Sequence, residues 1–142
     1  MENRYFQATS QEVDAARAVI RDHLSGRPEV AFAYLHGSFV TDGRFRDIDV
    51  ALYLNRPVSS PVQIELELET QLSALIREWP VDARVLNGAP LSFRYSVIKN
   101  GQLLFAVDDN ARSDFVEATL CNYFDFSPFR KAYLKETLGL EV

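Results

Sequence analysis

The chain lacks almost everything that would tie it to a disulfide framework, a membrane or a long nucleic acid. One cysteine, Cys121, cannot form an internal disulfide. The opening run MENRYFQATS has no apolar stretch of the signal-peptide kind, and no segment approaches the roughly 20 apolar residues that span a bilayer. A cytoplasmic protein without a membrane helix is expected. Lys and Arg number 15 against 20 Asp and Glu, a net charge of -5 with no basic run, which disfavours holding a long nucleic acid through its phosphates. No repeat, low-complexity tract or linker divides the 142 residues, so 1–142 is expected to be one domain. What is present, 47% hydrophobic and 25% charged residues, suffices for a packed core and argues against disorder.

Local patterns then divide the chain. Thr9-Ser10-Gln11-Glu12 has capping-box spacing, and Val13, Ala16, Ile20 and Leu24 recur at helical intervals until Gly26 offers a stop. The run VAFAYL reads as a strand leading into Gly37-Ser38, and residues 38–44 as a short helix or a turn. Asp47 to Leu54 reads as a second strand, ended by Asn55-Arg56-Pro57. Ser60-Pro61 begins a helix whose stripe, Ile64, Leu68, Leu72, Leu75 and Ile76, runs up to the breaker Pro80. VDARVLN is a third strand, Pro90 opens a short helix ending at Asn100-Gly101, and QLLFAV is a fourth strand. Asp108-Asp109 starts a helical C-terminal third, interrupted near Ser127-Pro128. This alternation predicts an α/β fold.

The chemistry concentrates in AYLHGSFVTDGRFRDIDVALYL. Side chains two apart on a strand share a face, so Asp47 and Asp49 point the same way from an otherwise apolar strand. Two converging carboxylates repel, raising at least one pKa unless a cation neutralises them. Magnesium suits that task, since it binds through one or two carboxylates together with substrate phosphates. Upstream, Gly37 permits close backbone approach, and Ser38 offers a hydroxyl and N–H groups to an anion. Eight residues between Ser38 and Asp47 let the two strands run as neighbours. Asp82, in the apolar VDARVL, could reach the same end of the sheet. Three carboxylates with bridging phosphate oxygens meet the needs of a two-metal site that aligns a hydroxyl with a phosphorus. Asp82 is then the candidate for the nucleophile side and for receiving the hydroxyl proton. Read singly, each feature has a plainer meaning: solvated acids at a strand start, a strand-to-helix turn, a turn residue after Pro80.

GSFVTDGRFRDIDVALYL followed by VDARVLN resembles the polymerase-β-type nucleotidyltransferase superfamily, in particular its smallest members, the minimal nucleotidyltransferases. The downstream APLSFRYSVIKNGQLLFAVDDNARSDFVEATLCNYFDFSPFRKAYL resembles them too, so the likeness covers nearly the whole chain. It implies a polymerase-β-like core, with a mixed sheet, flanking helices and a helical C-terminal segment. It also implies nucleotide-phosphate contacts at Gly37 and Ser38, catalytic magnesium ligands at Asp47, Asp49 and Asp82, two Mg2+ ions and ATP as substrate. Many such proteins are antitoxins that inactivate a HEPN ribonuclease toxin by transferring AMP to a toxin tyrosine, so the resemblance implies a HEPN-family partner. The chain departs from the family pattern in a shorter loop from Ser38 to Asp47 and in Arg46, where a serine is common. Arg44 and Arg46 become candidates to pair with a triphosphate.

Two rival functions stand beside transfer to a toxin: transfer to a small molecule, and an idle antitoxin that acts by steric binding. Other residues have quieter expectations. His36 packs locally, His23 lies on the surface of the first helix, and Cys121 is a small buried hydrophobe. Tyr123, Phe124, Phe126, Phe129 and Tyr133 form either a partner or homodimer surface or a helix packed on its own sheet.

Overall fold

Side-chain caps determine where two helices begin in the computed structural model, which describes residues 5–41, 43–126 and 135–136. Its elements are β1 (Phe6–Gln7), α1 (Ser10–Ser25), β2 (Val30–His36), α2 (Ser38–Thr41), β3 (Arg44–Phe45), β4 (Ile48–Leu54), α3 (Pro61–Leu75), β5 (Val81–Val85), α4 (Leu91–Asn100), β6 (Gln102–Ala106) and α5 (Asp109–Phe126). At α1 the capping box is complete: the Glu12 N–H donates to Thr9 Oγ1 at 3.1 Å, and the Thr9 N–H donates to Glu12 Oε1 at 2.9 Å. At α3 the Gln63 N–H donates to the Ser60 hydroxyl, and Pro61 occupies the first position.

The main sheet has the order β5-β4-β2-β6, with β2 antiparallel to both β4 and β6 and β4 parallel to β5. The parallel pair requires a crossover, and α3 supplies it. On one face, Ile20 and Leu24 of α1 and Leu68 and Leu72 of α3 pack against Ala33, Leu35, Val50, Leu52 and Ala83. On the other, Val97 of α4 and Phe115 of α5 pack against Ala31, Phe32, Tyr34 and Ala51. Ala31 and Phe32 share a face because the β2–β4 register slips between Val30 and Phe32. The outer edge of β5 is closed by α3: Ala83 N–H donates to Glu69 at 2.9 Å and Val85 N–H to Glu65 at 2.8 Å.

The mixed sheet with flanking helices agrees with the expected α/β class. Details differ. The second strand starts at Ile48, so Asp47 lies one residue ahead of it. A two-residue ladder, Phe6 against Phe45 and Gln7 against Arg44, was not anticipated, because two residues carry no period to read. α3 ends at Leu75 rather than at Pro80; the backbone is extended at Ile76, which turns inward with Trp79 while Leu75 is left exposed. Cys121 is exposed rather than buried. His23 is partly buried, its Nε2 2.7 Å from Gln71 Oε1. Tyr123 stacks on Tyr95 of α4 with ring centroids 3.6 Å apart, so that part of the aromatic segment packs at home. The Phe126 side chain, Phe129, Tyr133 and the interruption near Ser127-Pro128 lie outside the described residues.

Candidate active site

The alternation that buries Ile48, Val50 and Leu52 on the α1/α3 face turns Asp49 to the opposite face. Strand register then makes a row. His36 of β2 is the partner of Asp49 in β4, and Asp49 is the partner of Asp82 in β5. A parallel register matched at Asp49 and Asp82 brings the carboxylates to one end of the sheet, and Asp47 shares a hydrogen bond with Asp49. The three predicted acids therefore meet in one neighbourhood.

Gly37 closes the row from above. Its φ of 76° lies in the left-handed region, and a Cβ there would stand 2.1 Å from Asp49 Oδ2. Only glycine meets both demands. The backbone of Gly37 thus packs directly onto the Asp49 carboxylate, a close approach to a side chain of the neighbouring strand. Ser38 follows as the first residue of α2. Arg44 and Arg46 stand over the Tyr5 ring, 5.0 and 5.9 Å from its centroid.

Electrostatics match a site short of positive charge. Burial pushes the Asp49 carboxyl up to about 7, and the neighbouring Asp47 and Asp82 add to the rise while Arg84 opposes it. Glu69 is raised by burial too, and it also contacts Asp82. His36 is lowered by its burial, against the pull of Asp82 and Asp47. Arg84 is held above its usual range by Asp82, to which its Nε donates at 3.3 Å. Arg84 and Glu69 were not foreseen. The alternation of Asp82 and Arg84 on β5, and of Glu65 and Glu69 one turn apart on α3, is the signal that could have found them.

The donor chemistry suits a hard divalent cation at the Asp47–Asp49 pair, where burial and the neighbouring Asp47 push the Asp49 carboxyl up. Among the described residues no three His, Cys, Asp or Glu side chains form a ready metal shell. The fit is that of magnesium held by one or two carboxylates and completed by phosphate oxygens, with Asp82 available beyond them.

Among the described residues, two clefts that share Asn87 and Gly88 border this face. One, of about 390 Å³, is lined by Pro61, Val62, Glu65, Arg84, Val85 and Phe93 among others, and adjoins the row through Arg84 and Phe93. The other, of about 670 Å³, lies at the far end of β4, around Leu54, Arg56 and Arg94.

The family model for polymerase beta nucleotidyltransferases matches residues 19–110, more than half of the chain and all of the row. The chain belongs to the polymerase beta nucleotidyltransferase family. In this nucleotidyltransferase, the matched segment begins within α1 and ends at the start of α5. Solved structures share the fold. A chain of the Shewanella oneidensis complex of tri-AMPylated HEPN toxin with MNT antitoxin is 20% identical, with a TM-score of 0.65 over 89% of this chain and 98% of that one. A chain of the toxin-antitoxin MntA-HepT is also 20% identical, with a TM-score of 0.64 over 88% and 98%. A toxin-antitoxin structure with AMP-PNP gives the same identity, score and coverage. No curated protein matches the chain by sequence. Among the described residues no helix is long and apolar enough to cross a membrane.

Proposed function

We propose that the chain is a magnesium-dependent protein adenylyltransferase, a cytoplasmic antitoxin that moves AMP from ATP onto a tyrosine of a HEPN ribonuclease toxin. Its whole length acts as one catalytic domain. The observation that carries this reading is the register-matched row at the β4 end, with Gly37 packed on Asp49 and an excess of carboxylates over cations. Family membership and the likeness to toxin-antitoxin structures, one of them with AMP-PNP, point the same way.

In this reading Gly37 and Ser38 hold the nucleotide phosphates, and Asp47, Asp49 and Asp82 would hold two magnesium ions. When bound, those ions supply charge neutralisation for the triphosphate and the departing pyrophosphate. The residues themselves orient and move a proton. Asp82 faces the acceptor hydroxyl and takes its proton as the oxygen attacks the α-phosphorus. Arg84, bonded to Asp82, fixes that carboxylate in place. The small Gly37 backbone lets a phosphate sit against Asp49 without a Cβ in the way.

The test is ATP labelled at the α-phosphate, magnesium and a purified HEPN ribonuclease. Label on a tyrosine of the ribonuclease, lost in Asp47→Asn or Asp49→Asn, supports the reading. A tight complex that carries no label and is indifferent to both substitutions supports an idle, steric antitoxin instead. The engagement of Asp82 with Arg84 and Glu69 is the feature that favours that second reading.

A further inference from the structure

The two edges of the main sheet are finished differently. At β5 the outward N–H groups of Ala83 and Val85 donate to Glu69 and Glu65 of α3, at 2.9 and 2.8 Å. At β6 one side of the strand pairs with β2, and among the described residues no further hydrogen bond reaches the backbone of Gln102–Ala106. A row of unpaired N–H and C=O groups is a template for another strand.

The sequence does little to discourage one. QLLFAV carries no charge and no proline, and Leu103 and Val107 are 43% and 70% exposed. The strand has one irregularity: Phe105 faces Ala33 and Leu103 faces Tyr34, so Leu104 has no counterpart on β2. This bulge bends the edge yet leaves both of its faces apolar. Leu104 and Phe105 pack toward α1, whereas Leu103 and Ala106 lie on the side of Tyr34 and Phe32.

Charge selects the strand that fits. Lys99 in the last turn of α4, and Arg17, which donates to the Gln102 side chain, put positive charge at the start of β6. Asp108 and Asp109 put negative charge just past its end, and the Asp109 side chain is 74% exposed although it accepts from Arg112 at 2.9 Å. A strand that answers this order, acidic beside the basic end and basic beside the acidic end, is β6 itself run antiparallel. A parallel copy sets like charge against like. Because β5 is already closed, pairing of the main sheet through β6 stops at two copies.

We propose that β6 is a dimer interface, at which a second copy of the chain pairs antiparallel through the same strand about a twofold axis and joins two four-stranded sheets into one. Leu104 and Phe105 meet their counterparts on the α1 side, and Leu103 and Ala106 theirs on the other. Lys99 and Arg17 of each copy approach Asp109 of the other. The two acid rows stand at opposite ends of the joined sheet, because the start of β6 lies beside the end of β2 that carries His36.

Sedimentation velocity of the full chain over about 1 to 100 μM is expected to show a reversible monomer–dimer equilibrium, and hydrogen exchange to show the Gln102–Ala106 amides gaining protection as concentration rises. Leu103→Lys, at a side chain already exposed, brings like charges together at the axis and should raise the dimer Kd about tenfold or more. Lys99→Glu and Asp109→Lys should each raise it about threefold, and the double variant should return to the wild-type value. Circular dichroism checks that every variant folds. A monomer throughout the series, a dimer unmoved by Leu103→Lys, or a double variant no tighter than the single ones overturns the proposal. So does protection of those amides in a monomer, which means that the edge is covered within one chain. Protection that arises only when a HEPN ribonuclease is added overturns it too, because the edge then belongs to a different partner.

Discussion

Alternate residues of β4 face two chemically different halves of the molecule. Ile48, Val50, Leu52 and Leu54 are almost completely buried under α1 and α3, whereas Asp49, Ala51 and Tyr53 face α4, α5 and the acid row. One half is dry and closed by apolar contacts. The other, at its Asp49 end, gathers three aspartates, one of which, Asp82, accepts from Arg84. A single strand thus anchors the fold on one side and presents reactive groups on the other. The cost of crowding carboxylates is carried by the packing behind them.

The largest effect that would sharpen this contrast is on activity. Asp49→Asn should cut label transfer about a thousandfold, about 4 kcal/mol of transition-state stabilisation, while the free protein melts higher at pH 8. The sign follows from the raised carboxyl. Folding takes up a proton between the usual carboxylate range and about 7, so wild-type stability falls as pH rises through that window. The melting-temperature advantage of Asp49→Asn should therefore grow across it and be full above about 7. An advantage that does not change with pH would break the contrast.

Leu52→Ala tests the opposite face. It should cost about 2–5 kcal/mol in urea unfolding, and the fraction that stays folded should keep nucleotide affinity. Gly37→Ala touches both halves: the left-handed backbone costs about 1–2 kcal/mol, and the new Cβ meets Asp49 Oδ2, so stability and transfer should drop together. Equal activity in Gly37→Ala would mean that the close approach is incidental. Glu69→Gln should have the smallest effect, within about 1 kcal/mol, because the amide oxygen can still accept the Ala83 N–H while the charge beside Asp82 is removed. A large loss of stability there would show that the charge, and not the edge cap, matters.

Local signals were legible and long-range ones were not. Thr9 and Ser60 announce their helices because a cap needs only four consecutive residues. Gly37 was readable as a point of close approach, but not its partner, since the contact with Asp49 crosses from one strand to the next. Asp82 was a guess about strand neighbours until the register paired it with Asp49. Leu75 and Cys121 have the chemistry of buried residues yet are exposed, because which helix positions face inward depends on what packs against them. Glu65 and Glu69 look like surface acids and instead close the edge of β5, a role visible only once that strand proves to be the outermost. Strand partners and helix ends are decided by packing between distant segments, which a periodic pattern does not encode.

Calorimetric titration with AMP-PNP and magnesium tests the acid row most directly. It compares the wild type, the Asp47→Asn and Asp49→Asn double variant, and Arg94→Gln in the cleft at the far end of β4. The predicted result is saturable binding by the wild type, equal affinity in Arg94→Gln, and a loss of about tenfold or more in the double variant. Undiminished affinity in the double variant, or a loss confined to Arg94→Gln, would contradict the account and move the nucleotide away from the aspartates.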